Sequence, residues 1–130
     1  LNSPMRTAIN PPNAPSAIGT SNQGIETDGL VFTSGQVGID PSTGQLVGGG
    51  IDMQAAQTLK NIEAILNSVD IGKDSIAKLT VFVKNIDDFQ SVNKAFENFF
   101  NGIESPARST VEVPELPMGA LIEIECIAIK

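Results

Sequence analysis

The stretch SIAKLTVFVK, residues 75–84, alternates its side chains with the two-residue period of a β-strand. One side of this strand is aliphatic: Leu79, Val81 and Val83. The other side is mixed: Thr80, Phe82 and Lys84. Because both sides carry large apolar groups, we predict a strand that is covered, at least in part, on both faces.

An amphipathic helix is predicted on either side of this strand. The first spans residues 52–69, with Asp52 as its N-cap. Its apolar stripe is Ala56, Leu59, Ile62, Leu66 and Val69. The second spans residues 88–101 and starts with a capping-box-like pair, Asp87 and Gln90. Its predicted buried stripe is Phe89, Val92, Phe96, Phe99 and Phe100.

Three further strands are predicted, over residues 30–39, 107–113 and 121–129. The first ends at DPSTG, residues 40–44, whose proline and glycine supply the geometry of a hairpin or tight bend. The last two are joined by PELPMG, residues 114–119, and this short connection predicts that they pair as antiparallel neighbours. Strands that alternate with two helices predict the α+β class, with a mixed sheet and both helices on one face.

The chain length of 130 residues fits one domain that buries a hydrophobic core without a disulfide or a structural metal. Residues 10–23 contain three prolines and predict an extended surface segment. Leu1 to Pro4 precede the first methionine, Met5, and are expected to be a cloning remnant or a ragged start. We therefore leave these four residues out of the fold argument.

Composition excludes several classes of chemistry. The chain has no histidine, so it cannot contain a Ser/His/Asp triad or a Cys/His dyad, and the commonest ligand of catalytic zinc is absent. One cysteine cannot form an intramolecular disulfide, and no signal peptide or membrane-spanning apolar run is evident, so we expect a cytoplasmic protein with no membrane partner. A net charge of −7 and the lack of a basic patch predict no nucleic-acid partner.

Alternation along the last two strands predicts which side chains face away from the helices. The core side is assigned Ser109, Val111, Val113, Ile122, Ile124, Cys126 and Ala128. The opposite, bare face then carries polar groups: Arg108, Thr110, Glu112, Glu123 and Glu125. It also carries large apolar groups: Phe82, Leu121, Ile127 and Ile129. An apolar patch of this size usually marks an interface, so we predict a homo-oligomer.

Arg108 and Glu123 are the pair of residues best suited to carry out chemistry. One interpretation is an interface ion pair, which is common and often contributes little net stability. The other is a site for a small carboxylate, because a guanidinium offers a planar bidentate fork and a nearby glutamate can order or deprotonate a water. The pattern alone favours the ion pair.

Several segments resemble the RidA/YjgF family of enamine/imine deaminases: NAPSAIG (13–19), TSGQ (33–36), TVFVK (80–84), PARSTVEV (106–113) and IEIE (122–125). The resemblance runs from about residue 7 to residue 130, and the PARS-type segment followed by the IEIE-type strand is its most specific part. It implies a chorismate-mutase-like α+β fold and a homotrimer whose sheets enclose a central barrel. Ligand clefts would lie between the subunits.

The resemblance also implies an activity. Family members hydrolyse 2-aminoacrylate and related imines, such as 2-iminobutanoate and 2-iminopropanoate, to 2-keto acids and ammonia, and they need no cofactor. Carried onto matching positions, Arg108 would bind the substrate carboxylate and the Thr110 backbone would meet the imine nitrogen. Glu123 and the Gly35 backbone would place the attacking water. Two further positions would line or support the cleft: Ser34 and Asn93.

The chain departs from the family pattern at Thr20 and Ser21, where members commonly carry Pro-Tyr with the tyrosine ring over the ligand. Ser21 therefore predicts a wider or less closed substrate cleft. This departure keeps open a second function, a non-catalytic regulatory trimer that binds a small ligand. A ribonuclease or translation inhibitor is the third and least favoured, because the chain is acidic and has no Tyr, Trp or His for stacking or catalysis.

Two other features predict ordinary structural roles. Residues 48–50, GGG, precede a helix but lack the Lys-Ser/Thr of a phosphate-binding P-loop. Cys126 falls on the predicted core side and has no histidine partner, so we expect a small buried hydrophobic residue and not a nucleophile.

Overall fold

The computed structural model describes residues 5–130, so the predicted remnant at Leu1 to Pro4 lies outside the described residues. Its helices are α1 (Gly50–Asn67) and α2 (Phe89–Phe99). Its strands are β1 (Thr7–Ile9), β2 (Gly24–Thr27), β3 (Leu30–Thr33), β4 (Ile39–Asp40), β5 (Gln45–Leu46), β6 (Ile76–Val83), β7 (Ala107–Glu112) and β8 (Ile122–Ile129). No helix within the described range is long and apolar enough to cross a membrane.

Six strands form one mixed sheet in the order β1-β2-β3-β8-β6-β7, and β4 pairs with β5 as the hairpin predicted from residues 40–44. The stretch at residues 75–84 supplies β6, which lies between β8, its antiparallel neighbour, and β7, its parallel neighbour. Both helices pack on one face of the sheet. Leu59 and Ile62 of α1 meet Val81 and Ile124 of the sheet in the same buried core. The α+β prediction is confirmed.

The predicted pairing of the last two strands is wrong, because β6 lies between them. The Val113 backbone N–H donates to the Val83 carbonyl at 2.9 Å, and the Lys84 N–H donates to the Leu121 carbonyl at 3.1 Å. The connection over residues 114–120 therefore crosses the end of β6. It needs to span about 10 Å, two strand spacings, whereas seven extended residues reach roughly 23 Å. A short connection thus did not require adjacent strands.

The segment before residue 30 forms a hairpin that the sequence analysis did not predict. β2 and β3 pair antiparallel across Asp28 and Gly29, whose φ angles of 48° and 77° are both positive. An Asp-Gly pair in this conformation is the preferred two-residue turn between strands, because its twist matches theirs. β1 adds to the outer side of β2, and residues 10–23 connect the two.

α1 starts two residues earlier than predicted and buries a partly different face. Its N-cap is Gly49, at a φ of 98°, and Asp52 lies in the first turn without capping it. The helix buries three polar side chains, Gln54, Thr58 and Asn61, whereas Ala56 of the predicted stripe is exposed. Each buried polar side chain bonds backbone groups. Asn61 donates to the backbone carbonyls of Val37 and Ile39, and Thr58 donates to the backbone carbonyl of Gln54. The side-chain amide oxygen of Gln54 accepts from the backbone N–H of Leu121. α1 thus anchors the segments that flank β4 and β8.

α2 lies within the predicted range of residues 88–101 but is shorter at both ends, since it spans Phe89–Phe99. The Asp87 and Gln90 capping box is not formed. The Asn85 side-chain oxygen instead accepts from the Asp87 N–H at 2.9 Å, and the helix begins at Phe89. The predicted stripe is buried at Val92, Phe96 and Phe100, but Phe89 is 40% exposed. Phe89 belongs to the functional site described below.

The bare sheet face carries the predicted mixture of apolar and charged side chains. β8 alternates as expected, with Ile122, Ile124, Cys126 and Ala128 buried against the helices. On the opposite face large apolar side chains are exposed: Leu30, Phe32, Val111, Ile127 and Ile129. Such a face is typical of an interface.

Candidate functional site

β7 presents its side chains on the opposite faces from those predicted. In the parallel register with β6, Arg108 lies opposite Leu79 and Thr110 lies opposite Val81, so both point to the helix-covered face. Val111 lies opposite Phe82 on the bare face. The prediction that Arg108, Thr110 and Glu112 share the bare face with Glu123 is therefore wrong. β7 is an edge strand, and its aliphatic side chains face the uncovered side of the sheet.

Arg108 is held between α2 and the edge of the sheet. Its guanidinium donates a hydrogen bond to the Asn93 side-chain oxygen and lies over the Phe96 and Phe89 rings, 4.8 and 5.4 Å from their centroids. Partial burial lowers the pKa of the Arg108 guanidinium, which nevertheless stays charged at neutral pH. The side chain lines a cleft of about 270 Å³ with Asn93, Phe96 and Pro106. The hydrogen bond to Asn93 thus fixes one side of the guanidinium, and its other N–H groups remain open to a ligand in the cleft.

The outer edge of β7 offers free backbone groups beside Arg108. The Val113 N–H bonds to β6, and the backbone groups of successive strand residues point to alternate sides. The N–H and C=O groups of Arg108, Thr110 and Glu112 therefore point away from β6. The Thr110 hydroxyl oxygen is buried and has no hydrogen-bond partner among residues 5–130. This edge can bind a polar ligand through the backbone.

Glu123 lies on the other face of the sheet, opposite Phe82 of β6. Burial raises the pKa of the Glu123 carboxyl, and the negative charge of Glu125 on the same face raises it further. The carboxyl lines a second cleft of about 270 Å³. Its walls come from the lead-in segment, the end of β3 and the 3-10 turn at Pro117–Gly119: Pro15, Ile18, Ser21, Gln23, Ser34, Gly35, Val37, Pro117 and Met118.

A β-bulge shapes this second cleft. The strand predicted over residues 30–39 is interrupted, because Phe32 lies opposite Ile127 whereas the next pair, Gln36 and Ile124, is one residue out of register. Backbone hydrogen bonds of 2.8 and 2.9 Å hold Gln36 against Ile124. A bulge turns a side chain or a backbone group in a new direction and is common beside functional sites.

The bulge places Gly35 against the Glu123 carboxyl. A Cβ atom on Gly35 would lie 2.6 Å from Oε2 of Glu123. Any residue other than glycine would therefore force the Glu123 carboxyl group to move. The Gly35 N–H and C=O make no hydrogen bond with the part of the chain that the structure describes. A carboxyl group and free backbone groups therefore meet at one point, and the role of Glu123 and Gly35 in placing a water stays a prediction.

Ser34 and Ser21 lie in the same cleft, but their hydroxyls are already engaged. The Ser34 hydroxyl donates to the Asn22 carbonyl at 2.6 Å, and the Ser21 hydroxyl donates to the Ile18 carbonyl at 3.2 Å. Ser21 is exposed at the rim. Both side chains therefore stabilise the cleft wall, and Ser21 leaves the entrance open.

Gln23 also lines this cleft, although it lies in the segment predicted as surface. It is 3% exposed, and its side-chain amide donates to the carbonyls of Ala14 and Pro15 at 3.1 and 2.6 Å. A single buried amide in a proline-rich segment leaves no periodic signal, so the pattern could not have identified it.

Within one chain, the structure does not bring Arg108 and Glu123 together. They lie on opposite faces of the sheet, on strands separated by β6. The one ion pair among residues 5–130 joins Lys130 to Glu26 at 3.1 Å, so an Arg108–Glu123 ion pair within the chain is excluded. The clefts of Arg108 and Glu123 are therefore separate.

Cys126 is buried as predicted. Burial raises the pKa of its thiol to about 11, although a hydrogen bond with Thr33 lowers it in part. A thiol in this environment is protonated at neutral pH and is a poor nucleophile. The described range also contains no cluster of acidic and cysteine side chains that could hold a metal ion.

These features define a class of protein: a small α+β fold with two clefts of small-molecule size, one on each face of its sheet, of which one holds a guanidinium and the other a carboxyl group. The chain belongs to the endoribonuclease L-PSP family, the family of the RidA and YjgF proteins, because the model of that family matches residues 11–130. The predicted family is therefore confirmed.

Individual relatives agree with this assignment. The chain is 44% identical over 128 residues to the 2-iminobutanoate/2-iminopropanoate deaminase of Salmonella typhimurium, covering 97% of this chain and 99% of the relative. It is 40% identical over 130 residues to the mouse protein of the same name, covering 100% and 96%. The crystal structure of the Rid-family protein YyfA from Yersinia pestis superposes with a TM-score of 0.93 at 47% identity, covering 96% and 99%. These similarities confirm the predicted RidA/YjgF fold.

Proposed function

We propose that the chain is a 2-iminobutanoate/2-iminopropanoate deaminase, a hydrolase that converts these reactive imines to 2-keto acids and ammonia without a cofactor. The Salmonella and mouse relatives carry this activity in their names. The observation that carries the proposal is the pair of complementary half-clefts, with a guanidinium fork in one and a carboxylate beside free backbone groups in the other. Together they suit a small anion that must react with water.

The complete site lies between two subunits of a homotrimer. Arg108 and Glu123 face opposite sides of the sheet, so one chain cannot apply both to one small molecule. In a closed ring each subunit presents different surfaces to its two neighbours. The free edge of β7 in one subunit then meets the Glu123 cleft of the next, and the apolar bare faces become buried at the centre.

Each half-cleft supplies a separate part of the reaction. Arg108, oriented by Asn93, binds the substrate carboxylate through a bidentate pair of hydrogen bonds. The free backbone of Thr110 holds the imine nitrogen beside it. Glu123 and the Gly35 backbone of the neighbouring subunit hold the attacking water. Two side chains complete the cleft wall: Ser34 and Ser21.

The chemistry needs little beyond orientation and one base. Water attacks the carbon of the protonated imine, Glu123 takes a proton from the water, and the electron pair of the C=N bond moves to nitrogen. Glu123 returns that proton to the nitrogen of the resulting carbinolamine. The C–N bond then breaks and ammonia leaves, while Glu123, ionised again, takes the hydroxyl proton as that oxygen becomes the keto oxygen. A positioned general base typically contributes about 10²- to 10⁴-fold to such a step.

Charge distinguishes this proposal from a nucleic-acid-directed activity. The net charge is −7, which disfavours binding to a phosphate backbone. A small anionic imine needs only the local charge of Arg108. The expected partner is therefore a small 2-imino acid.

Arg108 variants test the proposal. We expect the wild-type chain to accelerate keto-acid formation from enzymatically generated 2-aminoacrylate, which tautomerises to 2-iminopropanoate. Arg108→Ala should abolish the acceleration. Arg108→Lys should reduce it strongly, because lysine keeps the charge but loses the planar fork. The test is the initial rate of keto-acid release, measured for the wild type and for both variants.

Sedimentation of the same samples provides the control. A trimer in all three preparations would assign the loss to the site and not to assembly. A folded wild-type trimer without any acceleration would contradict the deaminase and favour a ligand-binding regulatory protein. A monomer at micromolar concentration would contradict the shared site.

The acidic limb of the pH–rate profile should reflect the ionisation of the Glu123 carboxyl group. Its pKa is raised by burial and by Glu125, so the carboxylate required for catalysis forms only above the ordinary glutamate pKa of 4.5. Glu125→Gln removes the neighbouring negative charge, so the limb should move to lower pH while the rate at high pH stays unchanged. The profile of kcat against pH measures the shift. If the acidic limb of Glu125→Gln lies at the same pH as that of the wild type, or at a higher pH, Glu123 is not the titrating base.

A further inference from the structure

Gln23 carries a buried hydrogen-bond acceptor that has no donor within the described part of the chain. Its side chain is 3% exposed, and its amide nitrogen donates to the carbonyls of Ala14 and Pro15. Its amide oxygen, Oε1, has no hydrogen-bond partner among residues 5–130. A buried polar atom without a partner destabilises the fold, so it usually meets a water or a ligand.

The orientation of this amide is settled by its neighbours. The carbonyl oxygens of Ala14 and Pro15 face the amide nitrogen of Gln23. If the amide were turned by 180°, its oxygen would face these two carbonyl oxygens, and acceptors cannot hydrogen bond to one another. Oε1 therefore points away from Ala14 and Pro15. Gln23 lines the same cleft as Glu123, Ser34 and Gly35, so this cleft is where the acceptor can find a donor.

The cleft offers few donors of its own. The Gly35 N–H is a free donor within residues 5–130, and it can donate to the oxygen of a bound water. The hydroxyls of Ser21 and Ser34 donate to the carbonyls of Ile18 and Asn22, and the Gln36 N–H donates to Ile124. The ionised Glu123 carboxylate is itself only an acceptor. Two acceptors that line one cleft suit a molecule with two O–H groups to donate, and water is the smallest such molecule.

We propose that Gln23 is a catalytic residue that holds the attacking water together with Glu123. This inference rests on the deaminase function proposed above. One water hydrogen bonds to Oε1 of Gln23 and the other to the Glu123 carboxylate, so an oxygen lone pair faces the imine carbon. During attack Glu123 takes its hydrogen as a proton, and the hydrogen bonded to Gln23 stays on the oxygen as the hydroxyl of the carbinolamine.

The first test is a high-resolution crystal structure of the wild-type protein. We expect an ordered water within hydrogen-bond distance of both Gln23 Oε1 and the Glu123 carboxylate. Gln23→Met should lose this water while the cleft keeps its shape. A wild-type cleft in which no water bridges the two groups would overturn the inference, whatever the enzyme's activity.

Kinetics provide the second test. Gln23→Met should lower kcat about tenfold, as expected for the loss of one hydrogen bond in the transition state, and leave KM unchanged because Arg108 still binds the carboxylate. Asn10→Ala is the matched control. It removes the acceptor of the Gln23 backbone N–H and loosens the same segment, but it leaves Oε1 in place. Its kcat should equal that of the wild type.

The outcomes separate the two proposals. Active wild-type protein with an unchanged kcat in Gln23→Met would reject the role of Gln23 and leave the deaminase intact. An equal loss of kcat in Asn10→Ala would assign Gln23 a purely structural role. A bridging water in an inactive wild-type protein would support the water site and reject the deaminase.

Discussion

Mixed assemblies of Arg108→Ala and Glu123→Gln subunits are expected to recover about one quarter of the wild-type activity, although each variant alone is inactive. The reason is the placement of the two side chains on opposite faces of the sheet, separated by β6. Each substrate cleft then takes its guanidinium from one subunit and its carboxylate from the next. A mixed ring contains clefts in which both contributors carry the wild-type residue.

The expected recovery follows from random assembly. With equal amounts of the two variants, a cleft receives an intact Arg108 with a probability of about one half and an intact Glu123 with the same probability. The product is about one quarter of the clefts. Alone, Glu123→Gln should lose about 10²- to 10⁴-fold in kcat. The activity of the mixed assemblies should therefore far exceed the residual activity of either variant alone.

Co-expression of the two variants followed by assay of keto-acid release measures this recovery. The matched control combines Arg108→Ala with a double variant that carries both substitutions, because no cleft in that mixture has an intact Arg108. Equal activity in the mixture and in the separate variants, with mixed trimers demonstrated by mass spectrometry, would contradict a site shared between subunits.

Much of the fold could be predicted because its signals are local. The alternation at residues 75–84 buries Leu79, Val81 and Val83 as predicted. The predicted stripe of α2 is buried at Val92 and Phe96 but not at Phe89. The order of strands in the sheet is not local. Residues 107–113 and 121–129 were predicted as neighbours from loop length alone, but the crossover through α2 places β7 on the far side of β6.

The faces of β7 show a second limit. Val111 and Val113 look like core residues, and an internal strand with this pattern would bury them. β7 is an edge strand whose outward face carries Val111, 43% exposed, and whose inward face carries Arg108 against the rings of α2. A pattern of apolar residues cannot distinguish a face buried within the chain from one that another subunit would cover.

The candidate site was predictable in its residue types but not in its geometry. Arg108 and Glu123 were identified as the reactive pair, yet their separation on two faces depends on the strand order. Gly35 was identified through the resemblance, and the bulge that explains it depends on a one-residue shift between β3 and β8. Gln23 gave no signal, because its importance lies in two loop carbonyls and an unpaired oxygen.

Gly35→Ala is expected to lower kcat by about 10²-fold while leaving the free energy of unfolding nearly unchanged. The added Cβ would lie 2.6 Å from Oε2 and 2.7 Å from Cδ of Glu123, so the carboxyl group must move. These atoms are at the end of a flexible side chain, and Gly35 does not adopt a positive φ, so the backbone accepts alanine without strain. A general base displaced by about 1 Å loses most of its effect, because proton transfer depends on its distance from the water.

Two other glycines make the comparison specific. Gly48→Ala places its Cβ in open space without a positive φ, and it should change neither kcat nor stability. Gly38→Ala meets the backbone of Gln54 in α1 at 2.8 Å, so it should destabilise the fold. Chemical denaturation and steady-state kinetics of the three variants separate the effects. If Gly35→Ala keeps the wild-type kcat, the position of the Glu123 carboxyl is not critical and its assignment as the base is wrong. If Gly35→Ala loses stability as Gly38→Ala does, the bulge serves the fold and not the reaction.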